Sequence, residues 1–306
     1  MNSRRHTFGG PWTEQKLEYV RKYLHAYTTI MKDKNFHFAY IDAFAGTGYH
    51  EPKRDENADQ MLFDFPSEET QMFWDGSARI ALQVKYPFKE YIFIEKDKNR
   101  FSKLEKLRNE FPNEQIEFSN SDANDYLINL CGERNWSSDR AIVFLDPYGM
   151  QVEWKTIEAI AQTQAIDLWI LFPLGTVNRL LKKDGEIQPS LRARLDSFFG
   201  EPDWREVFYP LTEISLAQEN YRQKTSDIFA EIGKYFMKRL QGIFAGVVDN
   251  PPALYNSMNV PLYLLCFAVG NPRGAKIALN IAQDILLKPL RQEVSPVKQP
   301  EQLELL

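Results

Sequence analysis

The sequence predicts an α/β protein with a doubly wound, mostly parallel sheet and an inserted helical subdomain. Several segments are too uniformly apolar for a sheet with one face in water, which is typical of buried parallel strands. They are FHFAYIDAF from 36, YIFIEKD from 91, QIEFSNSD from 115, RAIVFLDPYG from 140, DLWILFPLG from 167 and PLYLLCFAVGN from 261. Helical patterns separate the earlier ones: GSARIALQVKY, KNRFSKLEKLRNEF, ANDYLINLC and EWKTIEAIAQT. Alternation of this kind, with short connections, indicates a doubly wound sheet.

A leading amphipathic helix is predicted from WTEQKLEYVRKYLHAYTTIM, residues 12–31. Its apolar face follows the helical period and comprises Leu17, Val20, Leu24, Tyr27 and Met31. Thr13 is positioned to act as the N-cap. Trp12, Thr13 and Lys16 could also cover the mouth of a ligand site, with helix capping and packing as the alternative interpretation.

Composition limits the class of protein. The chain has 306 residues with 43% hydrophobic and 26% charged residues, which fits an ordinary globular protein. A net charge of -5 argues against a globally basic nucleic-acid coat but leaves a local basic face open. Cys131 and Cys266 each lie in an apolar stretch and are expected to be reduced packing residues. Without an apolar leader or a membrane-spanning run, we expect a cytoplasmic location and no membrane contact.

The chain divides into four expected parts. Residues 1–175 hold the leading helix and the core of the ligand-binding domain, and residues 176–241 form a helical insertion with 11 basic and 10 acidic side chains. Residues 242–288 complete the core with the final strands and helix, and residues 289–306 form a tail. Within the first part, residues 51–75 contain eight acidic and two basic side chains and are expected to form an acidic lid.

A glycine-rich loop, DAFAGTG at 42–48, follows the first strand. Ligands of such sheets bind beyond the carboxyl ends of the strands, where the strand order reverses. Gly46 and Gly48 allow a sharp turn and close approach of the backbone to a ligand. Glu51 stands where a dinucleotide-binding fingerprint needs its third glycine, and the lysine of a phosphate-binding loop is missing. A nicotinamide-dependent oxidoreductase is therefore disfavoured, and Asp42 suits a ligand that carries an ammonium group.

Acidic residues also end the next two strands. Glu95 could accept hydrogen bonds from two ribose hydroxyls, and Asp122 with the Ala123 N–H could bind an adenine amine and ring nitrogen. Each carboxylate alone could be a solvated strand end. Together with the glycine loop they favour S-adenosylmethionine as the cofactor. The predicted binding residues are Asp42, Phe44, Ala45, Gly46, Gly48, Glu95, Lys96, Asp122 and Ala123.

The fourth strand ends in FLDPYG, residues 144–149. An amine that attacks a methyl sulfonium needs acceptors for its protons, which Asp146 and the Pro147 carbonyl can supply. Tyr148 offers a face on which a flat base could stack. These three residues are the predicted catalytic group. The alternative is a plain turn, since Asp, Pro and Gly all favour turns.

The motifs DAFAGTG, IEKD, NSDA and DPYG, in this order, resemble those of class I S-adenosylmethionine-dependent methyltransferases. The resemblance implies a Rossmann-like methyltransferase sheet. The glycine loop is similar to those of enzymes that methylate amines of nucleic acids, whose usual catalytic pattern is D-P-P-Y or N-P-P-Y. The single proline here brings the aromatic residue one position closer to the carboxylate, and DPYG is nearer to the D-P-F-G of tRNA guanine dimethyltransferases.

A more extensive resemblance links FGGPWTEQKLEYVRKYL, YIDAFAGTG, GSARIAL and FLDPYG to the three-Cys-motif partner proteins. GGPWTEQKL is its most specific part. In that family the three cysteines belong to a separate partner of the radical S-adenosylmethionine type, in agreement with two unclustered cysteines here. The resemblance implies a methyltransferase-like fold and a three-Cys-motif protein as partner.

Two functions follow from these patterns. The first is methyl transfer to an exocyclic amine of an RNA or DNA base. The second is a non-catalytic methyltransferase-fold subunit of a complex with the three-Cys-motif protein. A scaffold has no need of an acceptor carboxylate and an aromatic residue at the fourth strand end, so Asp146 and Tyr148 favour catalysis.

Overall fold

The structure is a computed structural model that describes residues 11–48, 76–210, 224–256 and 258–287. Within the first helix, side chains are described from Gln15 onward. The acidic segment expected at 51–75 and the tail expected at 289–306 lie outside the described residues. So do the side chains of Trp12 and Thr13.

Within the described residues, eight strands form one sheet. They are β1 (His37–Asp42), β2 (Glu90–Ile94), β3 (Ile116–Ser119), β4 (Asp139–Leu145), β5 (Ile166–Phe172), β6 (Gly246–Val247), β7 (Ala253–Tyr255) and β8 (Pro261–Val269). Their order is β3-β2-β1-β4-β5-β8-β6, with β7 paired to β8. β1 to β5 are parallel, so the predicted doubly wound, mostly parallel sheet is confirmed.

Strand β8 departs from the prediction because it runs antiparallel to β5 instead of parallel. Both directions bury an apolar strand equally well, so the composition of residues 261–271 does not distinguish them. β6 and β7 also pair antiparallel with β8; final strands were expected within residues 242–288, but no sequence pattern located these two. They have two and three residues, which is too short for a periodic pattern.

The described helices are α1 (Pro11–Met31), α2 (Ser77–Leu82), α3 (Lys98–Leu104), α4 (Leu107–Glu110), α5 (Ala123–Glu133), α6 (Trp154–Gln162), α7 (Leu174–Leu180), α8 (Pro189–Phe199), α9 (Trp204–Phe208), α10 (Ile228–Gln241) and α11 (Ala275–Leu287). One face of the sheet packs against α1 to α4 and α11, and the other against α5 to α10. In β1, Phe38 and Tyr40 enter the first core while Ala39 and Ile41 enter the second. Both faces are therefore covered, which explains the uniformly apolar strands.

Helix α1 packs with the predicted apolar face inward. Val20 and Leu24 are buried, and the other three predicted residues are partly buried against the same core. The N-cap expectation is wrong, because the helix already includes Pro11 and Thr13 therefore lies inside it. Proline is well suited to a first helical turn, since its missing N–H has no partner there in any case.

The described part of residues 176–241 is largely helical and shares its core with the sheet. Phe236 of α10 stacks on Phe172 of β5, with ring centroids 4.1 Å apart. Gly200, at φ +78°, ends α8 where an added Cβ would lie 2.2 Å from the ring of Trp154 in α6. The boundaries at 175 and 241 remain predictions, but the helices between them bury their apolar side chains in the core around β4 and β5.

Asp167 is a buried carboxylate near the amino end of β5. It accepts hydrogen bonds from the Tyr23 hydroxyl at 3.1 Å and the Gly270 N–H at 3.3 Å. Burial raises the pKa of Asp167 to about 7. The folded state therefore binds a proton at a pH where the unfolded chain has released it, and this group makes the fold more stable as pH falls from about 7 toward about 4.

We expect Asp167→Asn to flatten the pH dependence of the free energy of unfolding. The amide keeps the size of the side chain and hydrogen bonds to both neighbours but cannot titrate. The slope of the free energy of unfolding against pH should become smaller by up to about 1.4 kcal/mol per pH unit between pH 5 and 7. Urea unfolding of both proteins across this range measures the difference. The same slope of unfolding free energy against pH in both proteins would contradict the prediction.

Candidate functional site

Four acidic residues gather at the carboxyl edge of the sheet. Asp42 ends β1, Glu95 follows β2, Asp122 lies between β3 and α5, and Asp146 follows β4. These strands are neighbours in the order β3-β2-β1-β4. The chain order reverses between β1 and β4, the position at which ligands of open α/β sheets bind.

The glycine loop is tied to both neighbours of β1. Ala43 N–H donates to Phe144 O at 3.2 Å, and Ala45 N–H donates to Ile94 O at 3.0 Å. Gly46 and Gly48 have φ angles of +62° and +66°, which side chains rarely adopt. The predicted sharp turn is present.

Gly48 also has a packing role that the sequence did not indicate. A Cβ at this position would lie 2.8 Å from Leu107 Cδ1 and 3.3 Å from Leu104 Cδ1. A side chain at position 48 would therefore collide with α3 and α4. Sequence reasoning ascribed both glycines to ligand approach, because it could not place these helices against the loop.

Glu95 is 5% exposed and holds the glycine loop. Its Oε2 accepts from Gly46 N–H at 3.1 Å, and its Oε1 accepts from Asp97 N–H at 2.7 Å. Arg100 Nε lies 3.7 Å from Oε1. Burial raises the pKa of Glu95 and outweighs Arg100, which acts to lower it. Each carboxylate oxygen retains further acceptor capacity, so the predicted ribose role stays compatible with these bonds.

Asp122 lies in the more exposed part of the site. It caps α5 by accepting from Asn124 N–H at 2.9 Å, and it pairs with Lys96 Nζ at 3.0 Å. Burial acts to raise the pKa of Asp122, but the hydrogen bonds from Lys96 and Asn124 hold it below its usual value. Ala123 is the first residue of α5, where backbone N–H groups lack intrahelical partners.

Asp42 is fully buried beside the glycine loop. Its Oδ1 accepts from Phe44 N–H at 3.3 Å. Its Oδ2 has no hydrogen-bond partner in the described parts of the chain, and neither does the buried Tyr40 hydroxyl there. Burial raises the pKa of Asp42 to about 7; the nearby Ser77 side chain acts to lower it without reaching hydrogen-bond geometry, and the neighbouring Asp146 adds to the rise. A buried acceptor without a partner is costly, which makes Asp42 Oδ2 a candidate contact for a cationic ligand.

Asp146 forms a buried ion pair with Lys16 of α1. Lys16 Nζ lies 3.2 Å from both carboxylate oxygens, and the two side chains are 1% and 3% exposed. Burial lowers the pKa of Lys16 to about 7 and raises the pKa of Asp146 to about 6. Each partner counteracts the effect of burial on the other. The sequence did not predict this contact.

From the sequence, Lys16 could cover the mouth of a ligand site, and one further signal indicates that it is buried. It precedes the buried Tyr19 and Val20 by three and four residues, so it falls on the apolar face of α1. A lysine in such a face must find an acceptor or lose its charge. The sequence alone gave no means of choosing that acceptor.

The other two predicted catalytic residues follow Asp146. Pro147 is buried, and the Tyr148 N–H donates to Gln151 Oε1 at 2.9 Å. The guanidinium of Arg100 lies 5.3 Å from the centre of the Tyr148 ring. Burial raises the pKa of Tyr148 to about 12. The ring predicted to stack on a base thus already has a cation near it.

Three further observations concern the cysteines, membrane spans and metal sites. Cys131 and Cys266 are free thiols, and burial raises the pKa of Cys131 to about 12. Among the described helices none is long and apolar enough to cross a membrane. No group of three His, Cys, Asp or Glu side chains in the described ranges could hold a metal ion.

No known family model matches the chain, and no curated protein matches it either. Similar solved structures include the protein LPL1258 from Legionella pneumophila, of family-model DUF519, with 14% identity, a TM-score of 0.47 and 92% of each chain covered. Trm1 from Pyrococcus horikoshii with S-adenosyl-L-methionine has 10% identity and a TM-score of 0.43, covering 87% of this chain and 57% of that one. Magnesium protoporphyrin IX methyltransferase from Synechocystis PCC 6803 with bound SAH has 9% identity and a TM-score of 0.34. The match covers 82% of this chain and 83% of that one.

We expect Gly48→Ala to destabilise the protein by about 1 to 3 kcal/mol, because of its positive φ and the contact with Leu107. Gly132→Ala is the matched control. Gly132 lies in α5 with nothing within 4 Å of an added Cβ, so alanine there should stabilise by about 0.5 to 1 kcal/mol. Denaturant unfolding measures both changes. A destabilisation of Gly132→Ala as large as that of Gly48→Ala would show that the loop conformation is not responsible.

Proposed function

We propose that this protein binds S-adenosylmethionine at the carboxyl edge of β1 to β4 and transfers its methyl group to an exocyclic amine of a nucleic-acid base. The observation that carries the proposal is the set of four carboxylates around a glycine loop at the switch point. This cofactor carries an ammonium group and a positive sulfonium, which carboxylates complement. The buried Oδ2 of Asp42, which has no hydrogen-bond partner among the described residues, supports a cationic ligand in particular.

The expected cofactor contacts can be assigned to the chain's own residues. Asp42 would accept from the ammonium group, and Glu95 would use its remaining lone pairs for the ribose hydroxyls. Asp122 and the Ala123 N–H would bind the adenine edge. The Lys96 side chain is 76% exposed, so its pair with Asp122 costs little to rearrange.

The reaction would take place at the end of β4. The cofactor, when bound, supplies a methyl group already activated by its positive sulfur, so positioning of the acceptor contributes most of the acceleration. Asp146 and the Pro147 carbonyl would accept hydrogen bonds from the attacking amine, and Asp146 would take its proton. Tyr148 would hold the acceptor ring by stacking. The resemblance of DPYG to motifs of amine methyltransferases supports these roles.

A second candidate function is a non-catalytic subunit that works with a three-Cys-motif protein of the radical S-adenosylmethionine type. One observation favours it: Asp146 is already engaged by Lys16, and its side chain is 3% exposed. In this function the pair only holds α1 against the sheet, and Asp146 meets no methyl acceptor. Both functions use the same cofactor site, but only the first includes methyl transfer.

The cofactor site is tested by calorimetry with S-adenosylmethionine. Asp42→Asn keeps the acceptor for Phe44 N–H but removes the negative charge, so affinity should fall by about 1.5 to 3 kcal/mol. Asp33→Asn is the control, because this exposed residue lies before β1, at the opposite edge, and its replacement changes the net charge equally. Equal affinities of Asp42→Asn and the wild type would reject the assignment of the ammonium site.

Methyl transfer is tested with tritiated cofactor on pooled RNA, DNA and a three-Cys-motif protein. Asp146→Asn leaves the buried Lys16 without a counterion and should lower stability, so its turnover is compared in samples shown to be folded and to bind the cofactor. In these, turnover should fall by ~10²- to 10⁴-fold, as for other positioned acid–base groups. Tyr148→Ala should weaken acceptor binding by about 1 to 3 kcal/mol, whereas Tyr148→Phe keeps the ring and should bind normally. Methylation by Asp146→Asn at the wild-type rate would show that Asp146 serves only the ion pair with Lys16 and not the reaction.

A further inference from the structure

The pair between Lys16 and Asp146 is unusual in its degree of burial. It joins α1 to the end of β4 across 130 positions of sequence, with both side chains almost fully enclosed. Buried ion pairs are poor sources of stability, because desolvation of two charges offsets most of their attraction, and an apolar replacement is often neutral or stabilising. Packing of α1 on the sheet does not explain why a lysine stands here.

The surroundings of the pair are rich in acidic groups. From β1, Asp42 and Tyr40 face it, and Glu95 lies beyond Asp42 at the end of β2. Tyr148 lies on the same strand end as Asp146 and has Arg100 of α3 over its ring. Asp146 and Asp42 interact unfavourably with each other, while Lys16 attracts both. Lys16 is thus the cation of α1 that balances these neighbouring carboxylates.

We propose that Lys16 is a positioning residue that keeps the buried Asp146 carboxylate ionised and oriented, so that Asp146 can accept the proton of the amine being methylated. This inference rests on the proposed function and adds a residue that sets the protonation state of its acceptor. Lys16 need not touch the substrate. Each oxygen of Asp146 can accept from Lys16 and still offer a second lone pair to an amine.

The chemistry requires an ionised acceptor. As the amine nitrogen forms its bond to the methyl carbon, the carbon–sulfur bond breaks and its electron pair stays on sulfur. The nitrogen becomes positive, and its proton passes to an oxygen of Asp146. A carboxyl group that already holds a proton cannot take another. Burial pushes the pKa of Asp146 upward to about 6, and the Lys16 ammonium is what limits the rise.

The test compares Lys16→Met with Lys16→Arg, which restores the positive charge. Lys22→Met is the matched control, since Lys22 lies on the same helix with a 43% exposed side chain. In protein with ¹³C-labelled aspartate, the Asp146 carboxyl signal is identified by its loss in Asp146→Asn. Its titration midpoint should rise by about one pH unit or more in Lys16→Met and stay near the wild-type value in Lys16→Arg and Lys22→Met.

Methyl transfer should follow the same titration. At pH 7 the turnover of Lys16→Met should be about twofold below that of the wild type if the midpoint rises by one pH unit and about tenfold below if it rises by two, and it should recover as pH is raised. A merely structural role would lower turnover equally at all pH values. A midpoint that does not rise in Lys16→Met, in a protein that binds the cofactor and methylates, overturns the inference. A raised midpoint without methyl transfer in the wild type instead overturns the acceptor role and the proposed function.

If Lys16→Met fails to fold by circular dichroism, Lys16→Gln replaces it. Glutamine is uncharged but can still donate a hydrogen bond to Asp146, so it separates loss of the charge from loss of the contact. The same rise in the midpoint is expected. A midpoint unchanged in Lys16→Gln would overturn the electrostatic role.

Discussion

Coverage of both faces of the sheet by helices is the constraint on which the rest of the structure depends. Strands that are covered on both faces carry mainly apolar side chains, so charged side chains concentrate at the edges of the sheet where strands end. At the carboxyl edge, β3, β2, β1 and β4 place Asp122, Glu95, Asp42 and Asp146 side by side. The glycine loop is held among them by backbone hydrogen bonds to β2 and β4. The candidate site is therefore a consequence of the strand order.

The sequence predicted those features that depend on local composition. Uniformly apolar runs located β1 to β5 and β8, and glycines located the turn after β1. Features that depend on contacts between residues far apart in the sequence could not be predicted from it. The direction of β8, the short strands β6 and β7, and the packing of Gly48 against Leu107 all require knowledge of which elements meet.

The acidic residues were predictable as strand ends, but their partners were not. Glu95 was expected to meet a ribose, and in the structure it holds Gly46 and Asp97 through their N–H groups. Asp146 was expected to be a free acceptor, and it is paired with a lysine 130 positions away. Helical periodicity puts Lys16 on the inner face of α1, yet only the packing of α1 along one face of the sheet brings this part of the helix to Asp146 at the carboxyl edge.

The four carboxylates differ in how readily a ligand can replace their present partners. The pair of Asp122 with exposed Lys96 is screened by solvent and exchanges at little cost, whereas separating Lys16 from Asp146 would leave two buried charges uncompensated. Asp42 lies between these extremes, with one oxygen bonded to the loop and the other without a partner in the described residues. We therefore expect a cationic ligand to bind at Asp42 and Asp122 without disturbing the ion pair. The proposed role of Lys16 follows from this difference, since a ligand that leaves the pair in place need not displace Lys16 and meets an Asp146 whose charge Lys16 still sets.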